Sequence, residues 1–265
     1  MSKKLVQQQF GDKAAAYATS SVHAKGASLA RLVELLDPQP NWRALDVATA
    51  AGHTAHIIAP HVAEVVATDI TPQMLPKAAE LAAEKGLTNV TTKVADAEDL
   101  PFEDESFDLV TCRIAPHHFP DIEQFVREAV RVLKPEGILA VVDNIVPHKR
   151  TRKKKEQQAY EAAAQFINAF EKLRDPSHGR CFSLYEWQQA YKAAELTVTH
   201  TETARKKMEF ASWAARMNVS PADTTRLKAM LLQPPEIVAE FLTPQFTSDT
   251  IEFYLHEAII IGKKS

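Results

Sequence analysis

Three aspartates, Asp46, Asp69 and Asp96, lie at or near the ends of short apolar runs, in "RALDVA", "EVVATD" and "NVTTKVADA". One such carboxylate is ordinary, but three on successive candidate strands can serve one ligand together. The two oxygens of Asp69 can accept from the hydroxyls of a ribose, and Asp96 can accept from an exocyclic amine such as adenine N6. Asp46 opens the loop "DVATAAGH", where a single glycine, Gly52, stands with Ala48 and Ala50 at the places other glycines would fill. A carboxylate there repels a pyrophosphate and attracts a cation. Further along, "CRIAPHH" carries His117, an imidazole able to orient or deprotonate a hydroxyl or to polarise an enol. Each residue also has a plainer reading. Asp46 can cap its loop, Asp69 can precede a helix at "TPQML", Asp96 can form a turn, and His117 can be a loop histidine bonded to backbone ahead of a helix at Asp121.

For these groups to converge, the strands must run side by side with their carboxyl ends at one edge. The pattern supplies them. "RALDVA", "EVVATDI", "NVTTKVADA", "SFDLVTCRI" and "GILAVVDNIV" read as strands, and "HTAHIIAPHV", "TPQMLPKAAELAAEKG" and "IEQFVREAVRVL" as helices between them. Short apolar strands alternating with amphipathic helices predict a mainly parallel sheet covered on both faces. Residues 5–37 read as helical. Beyond residue 147 come a long helix with a basic start, "HKRTRKKKEQQAYEAAAQFINAFEKLRD", a helix capped by Ser183, and the strand "TVTHTETA". Two or three short helices and a last strand, "TIEFYLHEAIIIGKK", bring the strands to seven. The expected organisation is one domain: 1–40 helical, 41–147 the α/β core, and 148–265 the rest of the sheet with a helical insert at about 208–245.

Composition narrows the function. The 265 residues are 45% hydrophobic and 25% charged, with a net charge of -3, which argues against a general nucleic-acid binder. No apolar run approaches the roughly 20 residues of a membrane span. "MSKKLVQQQF" lacks the apolar segment of a secretory signal, so a cytoplasmic protein is expected. Cys112 and Cys181 stand in unrelated contexts and suggest neither a disulfide framework nor a metal site. The run "HKRTRKKK" at 148–155 reads as a solvated helix start rather than a nucleic-acid surface.

Asp46 separates the candidate cofactors. A dinucleotide would place a pyrophosphate at the loop, and the spacing departs from G-x-G-x-x-G. S-adenosylmethionine brings an α-ammonium and a sulfonium there, which a carboxylate favours. The segment 40–147 resembles a class I S-adenosylmethionine-dependent methyltransferase, within the branch containing quinone- and sterol-modifying small-molecule enzymes. "LDVATAAGH" is similar to that family's first motif and "VVATDITPQML" to its second. "VADAEDLPFEDESFDLVTCRIAPHHF" is similar to the third and fourth, and "REAVRVLKPEGILAVVD" to the helix, turn and fifth strand. "MEFASWAARMNVSPADTTRLKAML" resembles the late helical insert of one bacterial subgroup.

That resemblance implies a Rossmann-like fold with the helical insert before the last strand and an N-terminal helical lid carrying Tyr17, Ser20, Ser21 and His23, which could equally be an amphipathic helix packing on the sheet edge. It implies S-adenosylmethionine as cofactor, S-adenosylhomocysteine as product and no metal. Asp46, Ala48, Ala50, Gly52 and His53 would face the methionine end and Asp69 the ribose. Ile70 would lie on the adenine face with Met74 in the same cofactor-binding set, and Asp96 with the Ala97 backbone would read the adenine edge. Arg113 would pair with the methionine carboxylate or form a structural salt bridge. His117 is the candidate catalytic residue, and His118 is expected to pack against the sheet. Phe210, Trp213 and Met217 would roof an apolar acceptor pocket or fill the core. The leading expectation is methyl transfer to a small molecule. The alternatives are a protein that binds S-adenosylmethionine or S-adenosylhomocysteine without transfer, an RNA or protein methyltransferase, and, last, a dehydrogenase. Acceptor atom and oligomeric state are left open.

Overall fold

In the computed structural model, residues 3–11 and 27–265 are described, so Tyr17, Ser20, Ser21 and His23 lie outside the described residues. Helices α1 (Lys3–Gly11) and α2 (Ala27–Leu36) lead into strand β1 (Arg43–Val47). Helix α3 (His53–Ile58), strand β2 (Glu64–Asp69), helix α4 (Leu75–Glu84) and strand β3 (Val90–Val94) follow. Strand β4 (Phe107–Arg113), helix α5 (Ile122–Val132) and strand β5 (Leu133–Ile145) complete the alternating stretch. Beyond it lie α6 (Lys154–Arg174), α7 (Leu184–Ala193), β6 (Leu196–Glu209), α8 (Phe210–Ala215), α9 (Pro221–Leu232), α10 (Glu236–Leu242), β7 (Gln245–Phe246) and β8 (Ile251–Lys264).

The sheet order is β3-β2-β1-β4-β5-β8-β6, with the two-residue β7 paired antiparallel to β8. Strands β3, β2, β1, β4 and β5 pair in parallel, as a Rossmann-like sheet requires. The chain steps outward from β1 to β3 and then returns to the other side of β1 with β4. That reversal opens a crevice at the carboxyl ends of β1 and β4, where ligands of such sheets bind.

The chain divides into two units within β5, Met1–Asp143 with Gln188–Glu202 and Ile259–Ser265 forming the first. In this unit Ala44, Val65, Ala67, Leu109, Ala140 and Val142 share one apolar cluster with Leu32, Leu36 and Ile58 of α2 and α3. Their strand neighbours Leu45, Val66, Val110 and Val141 are buried as well, so both faces of these strands are covered, as the uniformly apolar runs require. Helix α5 starts where Asp121 accepts from the Gln124 backbone N–H at 2.8 Å, and it buries Phe125, Val126, Ala129 and Val132.

The second unit comprises Asn144–Trp187 and Thr203–Ala258. Its core joins Ile167 and Phe170 of α6, Phe210 and Trp213 of α8, Leu227 and Leu231 of α9, and Val238 and Leu242 of α10 to Phe253 of β8. Trp213 stacks on Phe170 at 4.8 Å and meets Phe253 edge-on at 5.0 Å, so Phe210 and Trp213 fill this core, and Met217 is buried too. Two boundaries differ from the sequence reading. Helix α6 begins at Lys154, leaving 148–153 outside it. A basic run at a helix N-terminus opposes the positive end of the helix dipole, and Glu156 in the first turn takes Lys149 at 2.7 Å instead. Strand β6 continues to Glu209, whose side chain then caps α8 by accepting from the Ala211 and Ser212 backbone N–H groups. Among the described residues no helix is long and apolar enough to cross a membrane.

Candidate functional site

All of the candidate site residues lie in the first unit. Asp46, one residue before the end of β1, is fully buried and pairs in register with Ala67 of β2 and Thr111 of β4. Its oxygens accept from Thr49 Oγ1 at 2.5 Å and Thr111 Oγ1 at 2.8 Å. Asp69 closes β2. One of its oxygens accepts the Ala50 backbone N–H at 3.0 Å and the other the Thr71 backbone N–H at 2.8 Å. Asp69 therefore ties the loop after β1 to the turn after β2, and each oxygen keeps a second lone pair for a ligand hydroxyl.

The loop itself settles the question of the missing glycines. Ala48, Ala50 and Gly52 all have positive φ, at 54°, 48° and 83°. The two alanines adopt the conformation glycine would provide, at about 1–2 kcal/mol each. Hydrogen bonds hold the loop so: Thr49 N–H to the Thr68 carbonyl at 2.8 Å, Gly52 N–H to the Thr49 carbonyl at 2.8 Å, and Ala50 N–H to the Asp69 carboxylate at 3.0 Å. His53 is half-buried at the first turn of α3. Arg113, at the end of β4, donates from Nε to Thr54 Oγ1 at 3.1 Å, and its charge favours the ionised form of Asp46.

The adenine-side candidates meet α1. Lys3 Nζ lies 2.5 Å from Asp96 and 2.6 Å from Glu98. Gln7 donates to the Ile70 carbonyl at 2.8 Å, and Phe10 meets His118 edge-on at 5.0 Å. His118 thus packs on α1 and beside His117. Asp96 also accepts the Glu98 backbone N–H at 3.0 Å, the turn-forming bond its alternative reading called for. Ala97 is buried, and Met74 is only 1% exposed.

His117 stands in a short 3₁₀ turn (Pro116–His118) after β4. Its Nδ1 lies 2.6 Å from Asp143 Oδ1, and its backbone N–H donates to Asp143 Oδ2 at 2.9 Å. Sequence reasoning missed Asp143. It sits inside the apolar run "AVVDNIV", where a fully buried acid 26 positions from a histidine is the only signal. Cys112 of β4 shows how closely these acids gather. Burial raises its thiol well above the ordinary range, and Asp46, Asp143 and Asp69 raise it further.

Burial also pushes Asp46 up to about 6 from its ordinary 3.8, against the bonds from Thr49 and Thr111 and the charge of Arg113. The buried His56 moves the other way, from 6.5 to about 4, through burial and then the charge of Lys85. Between pH 4 and 6 the folded chain binds the extra proton at Asp46, so acidification stabilises it there; at His56 the unfolded chain binds the extra proton, so acidification destabilises. The Asp46→Asn variant is expected to lose thermal stability between pH 6.5 and 4 more steeply than the parent. Melting curves at stepped pH test this, and parallel curves would contradict it.

Two buried strand-end acids and a loop of left-handed residues thus gather at the carboxyl edge of the sheet. Comparisons with known proteins give the family. A family model described as a methyltransferase domain matches residues 45–141. The chain is similar to the uncharacterized methyltransferase YcgJ of Bacillus subtilis, 36% identical over 214 residues, 81% of this chain and 80% of that one. The crystal structure of YcgJ superposes with a TM-score of 0.82, covering 89% of this chain and 97% of that one at 32% identity. That of a putative methyltransferase from Bacillus halodurans gives 0.83, covering 90% and 99% at 33% identity. A ubiquinone/menaquinone biosynthesis C-methyltransferase of Rhizobium rhizogenes is 39% identical over 118 residues, 42% of this chain and 46% of that one. The chain belongs to the class I S-adenosylmethionine-dependent methyltransferases.

Proposed function

We propose that this methyltransferase acts on a small-molecule acceptor, with His117 at the acceptor and the cofactor held along the carboxyl ends of β1, β2 and β4. In this reading Asp46, the 48–52 loop, His53 and Arg113 take the methionine end, and Asp69 the ribose. Ile70, Met74, Asp96 and Ala97 form the adenine side, with α1 laid against it. The residues fit the group chemically: the carboxylates gathered around Cys112 suit a sulfonium and an ammonium and would repel a phosphate.

The cofactor supplies a methyl group on a sulfonium whose sulfur departs as a neutral thioether. The chain therefore has no leaving group to activate. Its work is to hold the parts in line, exclude water and take up any proton the acceptor must lose. The observation that carries the reading is the buried His117–Asp143 pair at the strand ends beside these acids. A net charge of -3 and the similarity to a relative named as a ubiquinone/menaquinone C-methyltransferase support a small acceptor over RNA.

The test is turnover. The protein is incubated with S-adenosylmethionine and a panel of phenols, quinols and amines, and both S-adenosylhomocysteine and methylated product are followed by mass spectrometry. A methylated panel member is expected. Tight cofactor binding without turnover would favour a binding protein, and methyl groups appearing in RNA or protein would overturn the small-molecule reading.

A further inference from the structure

We infer that Asp143 is a positioning residue that fixes the tautomer of His117, and that the pair selects acceptors whose reacting atom carries a proton. This rests on the placement of His117 at the acceptor proposed above.

Asp143 is fully buried and holds His117 at two points, accepting from the backbone N–H at 2.9 Å and facing ring Nδ1 at 2.6 Å. A carboxylate offers only acceptors, so the ring nitrogen facing it must carry the hydrogen. In the neutral ring the lone pair then belongs to Nε2. Such an imidazole receives a proton and has none to give at that nitrogen, which makes it a base. The chain accepts strain to bring the ring there. Ile114, a β-branched residue, has a φ of 53° and donates its N–H to the Val142 carbonyl of β5 at 2.7 Å. A left-handed β-branched residue is an outlier of the kind that collects at functional sites.

A neutral thioether would find no use for this base. A phenol, an enol or an activated C–H acid would. As the acceptor's O–H or C–H bond breaks, its proton passes to His117 Nε2. The electron pair left on the acceptor atom forms the new bond to the methyl carbon, and the pair of the broken carbon–sulfur bond stays on sulfur. The imidazolium beside Asp143 afterwards returns the proton to solvent.

Two measurements on the full chain test this. In the first, nitrogen-15 NMR of histidine-labelled protein reads the His117 tautomer, with His117→Gln assigning the signal. The parent is expected to carry the hydrogen on Nδ1. In Asp143→Asn the amide oxygen stays on the backbone N–H and the amide NH₂ faces the ring, so the hydrogen moves to Nε2. In the second, rates are compared across substituted phenols of falling pKa, down to 4-nitrophenol. Asp143→Asn is expected to lower kcat about a hundredfold for phenols of pKa near 10, and only a few-fold for those already ionised, with KM and cofactor Kd unchanged. A uniform defect across the series, or an Nε2-protonated parent, overturns the inference. Should Asp143→Asn fail to fold, the parent's tautomer and the His117→Gln series decide it by the same criteria. If His117→Gln leaves every rate intact, the placement of His117 itself fails. If His117→Gln slows the reaction and a folded Asp143→Asn does not, only the role of Asp143 fails.

Discussion

Replacing Asp69 by alanine is expected to weaken S-adenosylmethionine binding by about 10²- to 10⁴-fold. In the placement proposed above, two charge-assisted bonds to ribose hydroxyls would contribute roughly 1.5–3 kcal/mol each, and every 1.4 kcal/mol is a factor of ten in affinity. The loss reaches further than the ribose. Asp69 accepts the Ala50 and Thr71 backbone N–H groups, so its removal leaves the loop after β1 and the turn after β2 without their common anchor. Calorimetric titration with S-adenosylmethionine and S-adenosylhomocysteine reads the effect, with a melting curve to establish that the variant is folded. Both ligands should weaken together, since the ribose is common to them. A folded variant with unchanged affinity would remove Asp69 from the site.

The second large effect concerns the same loop. A Cβ at Gly52 would stand 2.5 Å from His56 Nε2, 2.6 Å from its Cε1 and 3.2 Å from the Ala78 Cβ, on a backbone of φ 83°. The His56 ring cannot easily yield, because it is buried and its Nε2 bonds the Ala78 carbonyl at 2.9 Å. Gly52→Ala should therefore cost about 2–5 kcal/mol, from the left-handed backbone and the overpacking together. Ala50→Gly runs the other way. It relieves about 1–2 kcal/mol of strain against an entropic cost of about 0.5–1 kcal/mol, a net gain of up to about 1.5 kcal/mol. Thermal denaturation of the two variants beside the parent should place them on opposite sides of it. A neutral Gly52→Ala would mean that His56 and α3 move aside, and that the loop is less tightly specified than its hydrogen bonds indicate.

What the sequence made legible follows from how each feature is encoded. The alternation of strands and helices is local, and the acids at strand ends are read directly once the strands are placed; Asp46 and Asp69 belong to this class. The backbone of Ala48 and Ala50 was not legible, because alanine types favour no left-handed turn. That conformation is imposed by Thr68, Asp69 and the turn at Gly52. Asp143 was hidden inside a run that reads as buried strand, and its meaning depends on where a turn 26 residues earlier brings a histidine. The grip of Lys3 on Asp96, across 93 positions, is of the same kind. Phe210 and Trp213 show the reverse difficulty. An aromatic face on a short helix looks alike whether it lines a pocket or fills a core, and here it fills the core of the second unit.

Cys112 carries a consequence for an enzyme that handles an alkylating agent. A thiolate is the strongest nucleophile that the twenty side chains offer at neutral pH, and in the placement proposed above the Cys112 sulfur would lie among the acids that face the methyl donor. Burial and the negative charges of Asp46, Asp143 and Asp69 hold this thiol protonated, and the protonated form is the unreactive one. In that placement, the field that would suit a cationic methyl donor would also protect the neighbouring sulfur from it.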